Sequence, residues 1–301
     1  MSRLVVGVDA GGSRTIAAVA CDDDVVRTFV ADGANPNLYG IDAAVRAIGA
    51  AIEGALKDDV AKAIVVGSAG AGRVDVAAKI AEGLRGRFPA IPIAVTHDAH
   101  IALLAAVPSG DAIVLIAGTG SLAYGDVKGR QARAGGGGYA LDDAGSGYAI
   151  GAAALRRLLR VHEGRAPRDP LIDALAKYTG APNAAELVAY VYSDAPIARI
   201  ANVAPIVLEF AGNGDRGAVK IIQEAARELF ELVQTVIRAL DATESALPLA
   251  FSGGLLRQNS MLTYLIETRT AAEFPYLRVV KNSAEPYMGA LHEAHRLLTH
   301  E

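Results

Sequence analysis

The chain has 301 residues, 52% of them hydrophobic and 21% charged, which excludes a disordered chain and suffices for one large domain or two ordinary ones. Its net charge of −4 comes without a basic tail or stripe, so neither nucleic acid nor membrane is an expected partner, and no stretch approaches the roughly 20 apolar residues that span a bilayer. The single cysteine, Cys21, excludes an intramolecular disulfide framework and a multi-cysteine metal site within one chain, and it agrees with a reducing, cytoplasmic setting.

Leu4 to Val8 is rich in β-branched residues and ends at a glycine turn. Ile16 to Cys21 and Val25 to Val30 follow, the latter after the acidic turn Asp22-Asp23-Asp24. Two close turns predict an antiparallel meander. From Ile41 to Leu56 the residues Ile41, Ala44, Val45, Ile48, Ile52 and Leu56 share one helical face. Ala63 to Val66 reads as a buried strand, Val74 to Leu84 as a helix, and Ile93 to Thr96 as a strand leading into another helix. The order then starts again with strands Ala112 to Ala117 and Leu122 to Val127. VVGVDAGGSRTIAAV and IVLIAGTGSLAYGDV share a pattern of strand, glycine turn with Ser or Thr, and strand, which suggests a duplicated unit. Arg133 to Gly151 reads as a loop, because Gly135 to Gly138 disfavours any regular element. The stretch from Ser146 to about Leu240 is mostly helical and includes the amphipathic run Ala218 to Leu240. Leu247 to Phe251 is a strand entering Ser252-Gly253-Gly254, Leu277 to Val280 is the last strand, and Pro286 opens a final helix at its first turn. Pro108-Ser109-Gly110 breaks the pattern and sets the expected domain boundary, 1–108 against 109–285.

Five segments carry candidate chemistry. In Asp9-Ala10-Gly11-Gly12-Ser13-Arg14-Thr15 the glycines let backbone N–H groups approach a phosphate. Ser13 and Thr15 add hydroxyl donors, and Asp9 suits Mg²⁺ held through water. The plain alternative is a hairpin turn. Gly118-Thr119-Gly120-Ser121 repeats that chemistry at the start of the second half, with no Walker or Rossmann spacing. Asp98 fits either a general base or a helix N-cap. In the glycine-rich loop, Asp142 and Asp143 could accept from sugar hydroxyls, and Gly145-Ser146-Gly147 opens a helix whose N-terminus would face the site. Gly253-Gly254 could admit a flat base against backbone or form a simple strand-to-helix turn. His97 with His100, and His292 with His295, have helical spacing but no carboxylate or cysteine framework, so they read as solvated histidines and not as a metal site.

In this order the motifs DAGGSRT, NPN (Asn35–Asn37), HDA (His97–Ala99), AGTGS (Ala117–Ser121), the GGGG…DDAGSGY loop and FSGG (Phe251–Gly254) resemble the actin-like ATPase superfamily of sugar kinases. Within it the chain is similar to the N-acetylglucosamine kinase group, which shares a family with the BadF/BadG/BcrA/BcrD activator ATPases. The resemblance covers nearly the whole chain. It implies an α/β protein of two ribonuclease H-like domains with a central cleft for ATP, Mg²⁺ and a small amino sugar, the final helix, 286–301, joining the first domain. It places Gly11, Gly12, Ser13 and Thr15 in the first phosphate loop and Gly118, Thr119 and Gly120 in the second. Gly212 and Gly214 would lie near the nucleotide, and Gly253 and Gly254 along the adenosine. Asn37, Gly136, Gly137 and Asp143 would meet the sugar, and Asp98 would be the catalytic base. The implied reaction is phosphorylation at the sugar's 6-hydroxyl, and a homodimer is left open. This chain has Gly137 where the family carries a tryptophan after two glycines, and Ala144 where glutamate follows the aspartate. Glucosamine, N-acetylmuramic acid or an unusual hexosamine therefore stand beside N-acetylglucosamine as substrates. An activator ATPase would need two cysteines per chain, a repressor-type zinc kinase a cysteine cluster, and a sugar sensor no Asp9 or Asp98.

Overall fold

The computed structural model describes residues 4–22, 24–108, 111–244, 246–281 and 284–299. Asp23 of the acidic turn and Ser109-Gly110 of the expected boundary lie outside them. The chain divides into one unit within Met1–Gly110 and Asn282–Glu301, and another within Asp111–Lys281.

The first unit opens with β1 (Leu4–Ala10), β2 (Arg14–Cys21) and β3 (Asp24–Asp32), an antiparallel meander. It continues through α1 (Pro36–Tyr39), α2 (Ile41–Leu56), β4 (Ala63–Ser68), α3 (Val74–Arg87), β5 (Ile93–His97) and α4 (Asp98–Ala106). The sheet order is β3-β2-β1-β4-β5, with β4 parallel to β1 and β5 parallel to β4. β1 is buried on both faces, which explains its unbroken apolar run. Val6 and Val8 pack with Ile48, Ile52 and Ile80, while Val5 packs with Ile101 on the other face. Each such side chain contributes about 1.5–3 kcal/mol on burial.

The second unit repeats the plan. β6 (Ala112–Ala117), β7 (Ser121–Val127) and β8 (Arg130–Gly135) form its meander. A helical stretch follows: α5 (Gly147–His162), α6 (Pro170–Thr179), α7 (Ala184–Val191), α8 (Pro196–Ala201), α9 (Ala204–Gly212) and α10 (Arg216–Ala239). β9 (Pro248–Ser252), α11 (Met261–Glu273) and β10 (Arg278–Lys281) complete it. The order β8-β7-β6-β9-β10 matches β3-β2-β1-β4-β5 strand for strand, with the same senses. The duplication suggested by two short motifs is thus a duplication of topology. α10 supports this sheet through Ile222, Leu229, Phe230, Val233 and Ile237, all buried in one core with Ile113, Leu115 and Phe251.

One expectation is corrected here. Arg133 to Gly135 is not loop but the end of β8, where Ala134 pairs with Ala123 and Gly135 with Leu122. Cross-strand hydrogen bonds to β7 stabilise a segment whose own composition favours no strand. The loop proper starts at Gly136.

α12 (Pro286–Thr299) returns to the first unit. Two glycines allow its close approach. A Cβ on Gly7 would stand 2.6 Å from the Tyr287 carbonyl oxygen, and one on Gly289 would stand 1.9 Å from that of Ile101.

Candidate active site

In the first unit β1 and β2 pair up to Ala10 and Thr15, which leaves Gly11 to Arg14 as the turn. The Gly11 N–H donates to the Arg14 carbonyl (2.9 Å), and the Gly11 carbonyl accepts from Ala34 N–H (2.9 Å). The Tyr39 hydroxyl donates to the Gly12 carbonyl (3.0 Å). Gly33 lies directly behind, where a Cβ would be 2.2 Å from the Gly12 oxygen. The turn's carbonyls are therefore held from one side, and Ser13 is exposed. Thr15 differs from its neighbours: its side chain is buried and its hydroxyl donates to the Asp32 carbonyl at 2.8 Å. That hydroxyl proton serves the join of β2 to β3.

Because β1, β4 and β5 run parallel, their carboxyl ends stand together. Asp9 is beside Gly67, Gly67 beside Thr96, and Ser68 beside His97. Asn35 caps α1 by accepting from Asn37 N–H, and Gly70, at φ +82°, lies against both asparagines, where a Cβ would be 3.0 Å from Asn37 Nδ2. Asn37 thus sits by the loop that leaves β4.

Asp98 is the first residue of α4, not its cap. His97 holds the cap position, in extended conformation, and its Nδ1 accepts from the His100 N–H at 3.1 Å. Asp98 Oδ1 accepts from the Ala99 N–H at 2.9 Å. The N-cap alternative for Asp98 is thus taken by His97, and no group of three or more His, Cys, Asp or Glu that could hold a metal occurs among the described residues.

In the second unit, Gly118 to Gly120 links β6 to β7. Here a carboxylate does the holding. Asp143 is buried, Oδ1 accepts from Ser121 N–H at 3.2 Å, and a Cβ on Gly120 would lie 2.9 Å from that oxygen. The Ser121 hydroxyl donates to the Ala144 carbonyl at 2.7 Å. The start of α5 also serves the turn. Gly147 N–H donates to the Gly118 carbonyl (2.8 Å), Tyr148 N–H to the Thr119 carbonyl (3.2 Å), and Ala149 N–H to the Ser146 hydroxyl (3.2 Å). The N-terminus of α5 thus lies against the second glycine turn, with its leading N–H groups engaged by the turn's carbonyls and by the cap. Gly253, at φ +89°, lies against β6, where a Cβ would meet the Ala117 oxygen at 2.4 Å. Gly254 is exposed.

Gly212 and Gly214 mark the α9–α10 junction. Gly214 N–H donates to Ala211 and Asp215 N–H to Phe210, a helix-ending pattern that needs the positive φ of Gly214. Asp215 then caps α10 through Gly217 and Ala218 N–H. Gly136 and Gly137 follow β8. The Gly137 N–H approaches the Asp142 carboxylate at 3.4 Å, a long contact. A cavity of about 720 Å³ also opens beside α5 and α10, lined by Gly145, Ala149, Arg157, Gly217, Lys220 and Glu224 among others. Neither glycine turn lines it.

The structure gathers Asp9, the Gly11–Ser13 turn, Asn37 and Asp98 at one end of the first sheet. It gathers Gly118–Gly120, Asp143 and Gly253 at the matching end of the second. Motif reading gave His97 no capping role and missed Tyr39, Gly33 and Gly70. The NPN spacing was the available signal for the last of these, since an asparagine cap followed by proline fixes where α1 starts.

Two units of this strand order, each with a glycine turn at the carboxyl end of its first strand, make a duplicated α/β fold of the ribonuclease H-like kind. The model of the BadF/BadG/BcrA/BcrD ATPase family matches residues 6–294, and the chain belongs to that family. An N-acetylmuramic acid/N-acetylglucosamine kinase of Clostridium acetobutylicum is 29% identical, over 96% of this chain and 97% of its own. An N-acetyl-D-glucosamine kinase of Dictyostelium discoideum is 26% identical over 96% of each. A Chromobacterium violaceum protein, solved as a candidate N-acetylglucosamine kinase, shares the fold with a TM-score of 0.75, 24% identity, and coverage of 96% of this chain and 98% of its own.

Proposed function

We propose that this protein is an ATP-dependent kinase of a small amino sugar, of the N-acetylglucosamine or glucosamine type, acting at the 6-hydroxyl in the cytoplasm. One observation carries the reading to this chain's own residues. Asp98 opens α4 beside the carboxyl ends of β1, β4 and β5, in the sheet end that holds Asp9 and the first glycine turn, and another residue fills the capping role. Full-length likeness to amino-sugar kinases supports it.

Gly12 and Ser13, and Thr119 and Gly120, would present N–H and hydroxyl donors to phosphate oxygens, whereas the N–H groups of Gly11 and Gly118 close their own turns by donating to the Arg14 and Gly120 carbonyls. The donor chemistry fits, because both turns have their carbonyls held by protein partners. Thr15 is left out of this set. Gly253 and Gly254 would border the adenosine, with Gly212 and Gly214 near the nucleotide. Asp9 would hold Mg²⁺ through water, and that ion would neutralise phosphate charge. Asn37 and the Gly136–Gly137 segment would meet the sugar. Asp143 we assign to shaping the second turn before any sugar contact. Asp98 orients the hydroxyl and takes its proton as the new P–O bond forms. The bond to the bridging oxygen breaks, and ADP leaves.

The experiment is a coupled assay of ADP release over glucosamine, N-acetylglucosamine, N-acetylmuramic acid, N-acetylmannosamine and glucose, with the product's phosphate located by NMR. ADP release that depends on an amino sugar, with phosphate on O6, is the expected result. ATP hydrolysis indifferent to every sugar would instead support an activator ATPase.

A further inference from the structure

We infer that His97 is the positioning residue for Asp98, its neutral imidazole capping α4 so that the Asp98 carboxylate is held where it acts. The inference rests on the proposed role of Asp98 as base and concerns how that base is placed.

Histidine is not among the residues that N-caps favour, which are Asn, Asp, Ser, Thr and Gly. Yet the cap geometry here is well formed. His97 ends β5 with φ −86° and ψ 155°, its backbone pairs with β4 opposite Ser68, and its Nδ1 accepts from His100 N–H. The His100 ring stands edge-on to that of His97, with centroids 5.9 Å apart. The acceptor nitrogen must carry a lone pair, so the ring proton resides on Nε2.

The rest of α4 leaves little freedom to adjust. Ile101 fills the space beside Gly67, where a Cβ would be 2.3 Å from Ile101 Cδ1, and α12 presses on the Ile101 carbonyl at Gly289. The helix body is thereby fixed by packing, whereas its first turn is fixed by the cap. Asp98 is the residue next to that cap, and its carboxylate already bonds to the Ala99 N–H of the same turn. Losing the cap releases the first turn and lets Asp98 rotate from its place. Misplacing a reacting group by about an ångström can reduce rate by around 100-fold.

The test uses the full chain with ATP and the best sugar from the screen. His97→Ala is expected to lower kcat about tenfold or more while KM for ATP stays within about twofold. His97→Asn, which supplies an oxygen at the cap, should restore kcat to within about threefold of the parent. Amide exchange at His100 should quicken in His97→Ala and stay slow in His97→Asn. In an Asp98→Asn background His97→Ala should add little further loss, because the two act as one unit. If His97→Ala does not fold, His97→Leu, which fills the ring's volume but offers no acceptor to the His100 N–H, takes its place. Full kcat in His97→Ala, or no rescue by His97→Asn with both variants folded, overturns the inference. Full kcat in Asp98→Asn is a different result: it removes the base itself, and with it the group His97 is held to position.

Discussion

The two glycine turns occupy the same place in the same topology, yet they are held by different chemistry. Gly11–Ser13 is fixed by backbone and neutral groups: Ala34 N–H, the Tyr39 hydroxyl and the face of Gly33. Gly118–Gly120 is fixed by the Asp143 carboxylate and the first N–H groups of α5, while Gly253 presses on Ala117 at the end of β6, just before the turn. The difference follows from what each meander is attached to. The first turn is flanked by the short α1 and a loop, which offer hydroxyls and backbone. The second is flanked by a 16-residue helix start, which offers a row of N–H donors to the turn's carbonyls. A buried carboxylate can stand there because it receives a backbone N–H.

Substitutions can break this contrast. The largest effect is expected at Gly253. Alanine there would combine a left-handed backbone with a Cβ set against the Ala117 carbonyl, and backbone cannot move aside as a side chain can. A loss of about 3 kcal/mol or more is expected, read as a lowered urea midpoint with weakened ATP binding. Gly33→Ala meets a contact just as close but without positive φ. It should be milder, at about 1–3 kcal/mol, with the defect confined to the first unit in hydrogen exchange. Equal losses at the two glycines would show that backbone conformation adds nothing at Gly253.

Asp143 comes next. Its φ is +59°, which asparagine tolerates better than alanine. Asp143→Asn should cost less than about 1 kcal/mol in thermal unfolding and Asp143→Ala about 1–3 kcal/mol, the latter also raising KM for ATP. If the asparagine variant is as damaged as the alanine one, the negative charge matters, and not only the acceptor. The smallest effect is expected at Thr15. Thr15→Val removes one hydrogen bond to Asp32 and should cost about 1 kcal/mol with ATP affinity unchanged. A clear drop in ATP affinity would return the hydroxyl to the phosphate site.

Much of the architecture is legible in the residues. The strands from Leu4 and Ala112, the helix from Ile41 to Leu56 and the long apolar face of α10 follow from period and from runs of β-branched residues, which are local properties. The glycine turns are legible for the same reason. β8 was not, because Arg133 to Gly135 is a strand only through its pairing with β7. The site divides along the same line. Motif order alone marked Asp9, Asn37, Asp98 and both turns, since each lies at a punctuation point between elements.

What each of these residues does there depended on contacts made far along the chain. Asp143 reaches back across 22 residues to Ser121, and Thr15 across 17 to Asp32. A hydroxyl or carboxylate has few bonds to give, and the folded neighbour that takes one decides whether it remains for a ligand. The cap of α4 was decided more narrowly still. Asp98 is the better capping residue by preference, but the extended end of β5 runs through His97 and places that backbone, one residue earlier, in the capping conformation. Composition and period determined where this chain's elements and turns fall. Only tertiary pairing determined that the imidazole caps the helix and the carboxylate beside it does not, because strand register, and not residue preference, sets where β5 ends.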